Sequence, residues 1–220
     1  MRKNVSLLQI FVQINVAISY KLVQKNVDMK RNVLSKLIDW KNKKNRKPLI
    51  LNGARQVGKT YILREFGSQC YEKMAYVNCD KNKMLEKIFS QDYNISRILL
   101  SLSAILHVNI EPGNTLIIFD EIQESPTVLN SLKYFCEDAP QYHVAVAGSL
   151  LGISLHNNTS FPVGKVDMIK MYPMTFDEFL MAIGEQPLVD ILATKDFSII
   201  DSLSVRFIDC LRQYYYVGGM

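Results

Sequence analysis

The sequence predicts a three-layer α/β domain on a parallel sheet of five strands, and three observations carry that prediction. Short apolar runs alternate with helix-period segments from residue 48 onward. Thr115-Leu116-Ile117-Ile118-Phe119 is apolar with no polar alternation, as expected of a strand covered on both faces. A glycine-bounded string ending in Lys59-Thr60 separates the first apolar run from the first helical pattern, the position of a tight strand-to-helix turn.

Val33, Leu34, Leu37, Ile38 and Trp40 recur at helical spacing ahead of the sheet. Pro48 to Leu51 is then the first predicted strand, and Lys59 to Phe66 a helix closed by Gly67. Met74 to Asn78 is the second strand, and the stretch from Lys81 to Leu106 forms one or two helices. After the third strand, Ser125 caps a helix with Pro126 in its first turn, where a missing N–H costs nothing. His143 to Ala147 and Val166 to Met171 are the fourth and fifth strands. Thr175 with Glu178 makes a capping box, and Met174 with Phe179 a hydrophobic staple, so a further helix begins there. The pattern from Ile191 through Leu211 is helical, followed by Tyr214-Tyr215-Tyr216-Val217-Gly218-Gly219-Met220. The expected organisation is an extension over residues 1–28, an α/β domain over 29–184, and the start of a truncated helical region over 185–220.

Charge is distributed unevenly. The chain of 220 residues carries 26 Lys and Arg against 21 Asp and Glu, a net +5. The first 50 residues hold 12 basic and 2 acidic side chains, the remaining 170 hold 14 and 19, so a basic front precedes an acidic body. Five basic side chains fall within Lys41-Asn42-Lys43-Lys44-Asn45-Arg46-Lys47. Without an aromatic for base stacking, that run reads first as a solvated loop, and nucleic acid is the weaker candidate partner. Residues 1–20 have the outline of a secretory leader, but Gln9, Gln13 and Asn15 interrupt the apolar run and no small-residue cleavage site follows, so no membrane partner is expected. Cys70, Cys79, Cys136 and Cys210 are irregularly spaced, and His107, His143 and His156 are isolated, which excludes a disulfide scaffold, a zinc site of regular spacing and a His-based catalytic motif.

Gly53-Ala54-Arg55-Gln56-Val57-Gly58-Lys59-Thr60 matches G-x-x-x-x-G-K-[ST] in the strand-to-helix setting that gives the match structural meaning. A polyphosphate needs a concave array of backbone N–H donors, and Gly53 and Gly58 tolerate the turns such an array requires. The helix from Lys59 adds unpaired N–H groups and its positive dipole end. Lys59 reaches the β- and γ-phosphate oxygens, and the Thr60 hydroxyl binds Mg²⁺. Leu116-Ile117-Ile118-Phe119-Asp120-Glu121 is an apolar strand ending in two carboxylates, the Walker B pattern. Asp120 then serves the Mg²⁺ and Glu121 orients and polarises the attacking water. Three positions are weaker: Ser149 as a γ-phosphate sensor or a plain helix cap, Asn78 as a hydrogen-bond partner that holds Glu121 inactive or a plain strand-end residue, and Arg55 on phosphate or a neighbouring subunit or simply solvated.

Together these segments resemble a known family. Lys47 to Asn52 leading into the phosphate loop, Phe119-Asp120-Glu121-Ile122-Gln123, Ala147-Gly148-Ser149 and Tyr172-Pro173-Met174-Thr175-Phe176-Asp177-Glu178-Phe179-Leu180 are similar to the prokaryotic AAA+-type ATPases labelled AAA_14, over about residues 30–220. The resemblance implies an additional-strand P-loop NTPase fold, ATP and Mg²⁺ as cofactors, a cytoplasmic setting, a homo-oligomer as a candidate state, and a following DUF4143 domain or another protein as the driven partner. It departs at Gly164-Lys165, where many members have Gly-Arg, and Lys lacks the planar fork of an arginine finger.

Two functions remain open on the residues. The set Lys59, Thr60, Asp120 and Glu121 favours an ATP hydrolase that drives conformational change. The expected truncation of the C-terminal part and the absence of an obvious arginine finger favour instead a nucleotide-dependent switch with little turnover. A metabolite kinase fits paired carboxylates less well, and a GTPase lacks its guanine-reading Asn-Lys-x-Asp motif, since Asn82-Lys83-Met84-Leu85 has no Asp.

Overall fold

A computed structural model describes residues 31–149 and 161–218. Residues 1–28, read above as an extension, lie outside the described residues, as does His156. By internal contacts the chain divides into two units, residues 32–173 and a unit joining Arg31 to residues 174–218 among those described.

The larger unit runs α1 (Val33–Asn42), β1 (Leu49–Gly53), α2 (Lys59–Cys70), β2 (Lys73–Asn78), α3 (Lys83–Gln91), α4 (Ile95–Leu106), β3 (Thr115–Asp120), a 3₁₀ turn (Ile122–Glu124), α5 (Pro126–Asp138), β4 (His143–Gly148) and β5 (Asp167–Met171). All four strand pairings are parallel, in the order β2-β3-β4-β1-β5. β4 therefore stands between β1, which leads into the phosphate loop, and β3, which ends in Asp120. Both sheet faces are covered, which is why the central strands read as unbroken apolar runs. Ile50, Ile117, Phe119, Val144 and Val146 pack into one core with residues of α3, α4 and α5. Leu49, Leu51, Leu116, Ile118, Ala145 and Ala147 pack into the other with residues of α1 and α2.

Two local expectations are corrected here. α2 does not stop at Gly67 but continues to Cys70, with Tyr71 as its C-cap. Gly67 is instead a packing residue: a Cβ there would come within 2.8 Å of the Met74 sulfur, so the absence of a side chain lets the helix lie close to the sheet. Ser125 does occupy the N-cap of α5, but its hydroxyl makes no cap hydrogen bond and lies 3.3 Å from the Thr127 hydroxyl.

The smaller unit holds α6 (Phe176–Ala182), α7 (Gln186–Thr194), α8 (Phe197–Ser202) and α9 (Ser204–Val217) around Leu180, Leu188, Phe207 and Cys210. Glu178 accepts from the Thr175 N–H at 2.9 Å, the return arm of the expected capping box, and pairs with Arg31 at 3.2 Å. The predicted helical stretch from Ile191 to Leu211 is broken twice. Lys195 takes a left-handed conformation (φ 56), and Asp196 then caps α8 by accepting from the Ser198 and Ile199 N–H groups. The tyrosine run belongs to α9, which ends at Gly218 (φ 72). Tyr214 donates to Met174 O at 2.7 Å, with its ring against Phe176 and Phe179.

Candidate nucleotide site

Parallel strands bring their C-terminal ends to one edge of the sheet, and the chemistry-bearing residues gather there. The phosphate loop follows β1, Asp120 ends β3 with Glu121 next, and Ser149 follows β4. Registers tie these ends together: Asn52 pairs with Gly148, and Asn78 with Asp120.

The loop turns on two left-handed residues, Gln56 (φ 64) and Gly58 (φ 89). Gly58 is the residue type that such a conformation favours. Gly53 is glycine for another reason: a Cβ there would lie 2.3 Å from the Met171 carbonyl oxygen of β5. Val57 is buried in the core and anchors the loop, while Ala54, Arg55 and Gln56 are exposed at its tip. Lys59 folds back across the loop, its ammonium 2.6 Å from Ala54 O and 3.2 Å from Gly53 O. Burial holds its pKa below the usual lysine value, against the opposing pull of Glu121 and then Asp120.

Asp120 is buried and its carboxylate is held from three sides. Oδ2 accepts from the Thr60 hydroxyl at 2.7 Å and from the Tyr76 hydroxyl at 2.8 Å, while Oδ1 accepts from the Glu121 N–H at 3.0 Å. Tyr76 is a site residue that the motif reading missed. It lies on β2, two residues before Asn78, which pairs with Asp120, and the Arg64 guanidinium sits 3.9 Å over its ring. Burial first, and the bond to Asp120 second, push the Tyr76 hydroxyl pKa up. Its signal was present only as a polar-tipped aromatic in a predicted strand, which sequence spacing does not connect to Asp120.

Glu121 is exposed, in a left-handed conformation (φ 51) at the head of the 3₁₀ turn. Its carboxylate accepts from the Gln123 amide. A contact of that kind was one of two readings of Asn78, but Asn78 is exposed and its side-chain oxygen accepts from the Asp80 N–H at 2.8 Å. The correction has a local cause: the chain turns sharply after β2, and Asn78 closes that turn. Ser149 is buried, and its N–H donates to Gln123 Oε1 at 3.4 Å. Lys165, where the family resemblance departs, pairs with Glu137 at 2.8 Å.

The model of the AAA_14 family, described as an AAA domain, matches residues 45–180, more than half of the chain. The chain belongs to this family. The AAA_14 match runs from the basic segment before β1 to the middle of α6, and so takes in every strand and every site residue above. Among solved structures, the chain is similar to an Aeropyrum pernix Orc1 protein in complex with DNA (15% identity, 80% of this chain and 59% of that one, TM-score 0.48). It is also similar to Cdc6p from Pyrobaculum aerophilum (15%, 74% and 51%, TM-score 0.43) and to PCH-2 from C. elegans (13%, 75% and 44%, TM-score 0.36). The chain thus spans about half the length of these structures. A comparison with curated proteins finds no match.

Proposed function

We propose that this AAA domain binds ATP with Mg²⁺ and hydrolyses it, coupling turnover to conformational change in a partner protein or domain. The observation that carries the reading is the convergence of Lys59, Thr60, Asp120 and Glu121 at one sheet edge, with Thr60 hydrogen-bonded to Asp120 at 2.7 Å. Those two side chains are adjacent hard oxygens, one hydroxyl and one carboxylate, a donor set that fits Mg²⁺. Mg²⁺ usually keeps several waters and takes phosphate oxygens beside one or two protein oxygens, which matches a set of this size. Bound there, the ion would neutralise charge on the β- and γ-phosphates.

The chain's own groups divide the remaining work. Backbone N–H groups at the start of α2 and the Lys59 ammonium hold phosphate. Glu121 accepts a proton from water as the water oxygen bonds to the γ-phosphorus and the bond to the β–γ bridging oxygen breaks, leaving ADP and phosphate. Tyr76 and the Glu121 N–H orient Asp120. Arg55, exposed on the loop, is available to phosphate or to a second copy of the chain. No helix among the described residues is long and apolar enough to cross a membrane.

The switch reading has one observation in its favour, the Gln123 amide on Glu121. Replacing Glu121 with Gln separates the two: a hydrolase loses about 10²–10⁴-fold in turnover while nucleotide affinity stays within twofold. Equal and negligible turnover in wild type and variant, with intact binding, would establish the switch.

A further inference from the structure

We propose that the outer face of α5 forms a second ligand site, which takes a nucleoside monophosphate whose base carries an amino group. The site is a cavity of about 460 Å³ within the larger unit, a volume in the range of small-molecule pockets. Three stretches of chain meet around it. Tyr93 comes from the connection between α3 and α4, Asn130, Lys133 and Tyr134 come from α5, and Phe161 and Lys165 come from the segment ahead of β5. Asn130, Lys133 and Tyr134 stand at i, i+3 and i+4, so one helix face presents an amide, an ammonium and a ring together. None of these residues is among those assigned above to ATP.

Each part of the ligand answers to one observation. The Asn130 side-chain oxygen is buried and accepts no hydrogen bond. A buried acceptor without a donor is costly, and an amino group on a ligand is a donor that satisfies it. An asparagine amide, with acceptor and donor side by side, matches the amino group and neighbouring ring nitrogen of adenine. The Tyr93 and Tyr134 rings stack at 4.6 Å and 12°, and with Phe161 they make an aromatic wall. Such a wall suits the flat face of a base.

The phosphate falls to Lys133. Lys165 is held by Glu137 at 2.8 Å, whereas Lys133 enters no salt bridge among the described residues and lies 5.7 Å over the Tyr134 ring. Two ammonium groups against the Glu137 carboxylate leave a single net positive charge, which suits a monophosphate better than a triphosphate. A wholly apolar ligand would leave the amide unsatisfied, and an anion without a ring would leave the aromatic wall unused.

The test is a calorimetric titration of AMP into the Lys59→Ala chain, with Tyr93→Ala and Asn130→Leu each added to that background. AMP should bind at one site. Tyr93→Ala should weaken it roughly five- to a hundredfold, the scale of one base–aromatic stack. Asn130→Leu, which keeps the volume and removes the acceptor, should weaken it roughly two- to tenfold. Ribose 5-phosphate, which has the phosphate and no base, should bind at least about tenfold more weakly than AMP. Far-UV circular dichroism should match the parent chain in each variant. Lys133→Ala, at an exposed position, replaces Asn130→Leu should that variant fail to fold, and should weaken AMP most at low salt. A single-stranded oligoadenylate distinguishes the two sources of such a ligand, and either result supports the site. Binding tighter than AMP and lost in the same variants assigns it to a strand, and binding no tighter assigns it to the free nucleotide. Absence of AMP binding, an AMP affinity that Tyr93→Ala and the α5 variant leave unchanged, or equal affinity for ribose 5-phosphate would overturn the site. Failure of ATP hydrolysis in the wild type would bear on the phosphate loop alone, since this titration is made with that loop disabled.

Discussion

The two edges of the sheet both gather charged side chains, and they use them differently. At the edge where the strands begin, the basic run ahead of β1 is committed to the fold itself. Lys41 donates to Cys70 O and lies 4.4 Å over the Tyr71 ring. Lys43 pairs with Asp167 at 2.7 Å, Arg46 donates to Pro140 O and Lys41 O, and Lys47 donates to Gly164 O. Beneath them Tyr71 and His143 share a 2.7 Å hydrogen bond, with Trp40 against the His143 ring. At the edge where the strands end, Lys59 rests on two carbonyls of its own loop, Asp120 accepts from two hydroxyls and one N–H, and Glu121 accepts from one amide. Contacts of that kind exchange readily for phosphate, metal or water, whereas a cation braced by several elements does not. A basic run and the Lys59 ammonium thus carry the same charge in different settings, one tied to distant elements of the fold and one resting on its own loop.

Four substitutions put this contrast at risk. Lys59→Ala should have the largest effect, removing a charge-assisted bond to phosphate worth about 1.5–3 kcal/mol and lowering ATP affinity roughly 10- to 150-fold in a calorimetric titration. An affinity left within twofold would remove Lys59 from the site. Gly53→Ala sets a Cβ against the Met171 carbonyl, and urea denaturation should show a loss of about 1–3 kcal/mol. Unaltered stability would mean that β1 and β5 separate more easily than their pairing implies.

The third change concerns pH at the opposite edge. Burial first, with Arg46 and Lys41 adding repulsion, lowers the His143 pKa from 6.5 to about 4. A histidine depressed in the fold is neutral there and protonates more readily when unfolded. Its contribution is therefore whole above about pH 6.5 and is lost as pH falls toward 4. Between pH 7 and 5 the urea midpoint should drop by the equivalent of about 1 kcal/mol after solvent screening, and His143→Gln should flatten that drop. An unchanged slope in the variant would assign the acid sensitivity to other groups. The smallest effect is expected from Lys43→Ala, about 0–1 kcal/mol of stability for an exposed ion pair, with ATP affinity unmoved. If that variant weakened nucleotide binding, the contrast between the edges would fail.

Much of the strand-end site was legible because its signals are local. The loop string and the apolar run ending in Asp120-Glu121 each report on a single turn of chain, and the five strands fall within about two residues of their expected bounds. What escaped depends on neighbours distant in sequence. Gly67 looked like a helix stop because glycine so often is one, but its packing partner Met74 lies across the helix–sheet interface. Tyr76 meets Asp120 only through the register of β2 on β3. Gln123 escaped because a 3₁₀ turn, which no local pattern announced, brings it back onto Glu121. The basic run read as a solvated loop, since no pattern in those seven residues announces Cys70, Asp167 or Gly164 as partners.

The strand-end edge is proposed to perform Mg²⁺-dependent hydrolysis of ATP. The measurement that meets it most directly is phosphate release by the wild-type chain at saturating ATP, with Mg²⁺ and with the metal chelated, beside the Lys59→Ala variant. Release should require Mg²⁺ and fall to background in the variant. Release that persists without metal, or that Lys59→Ala leaves unchanged, would contradict it.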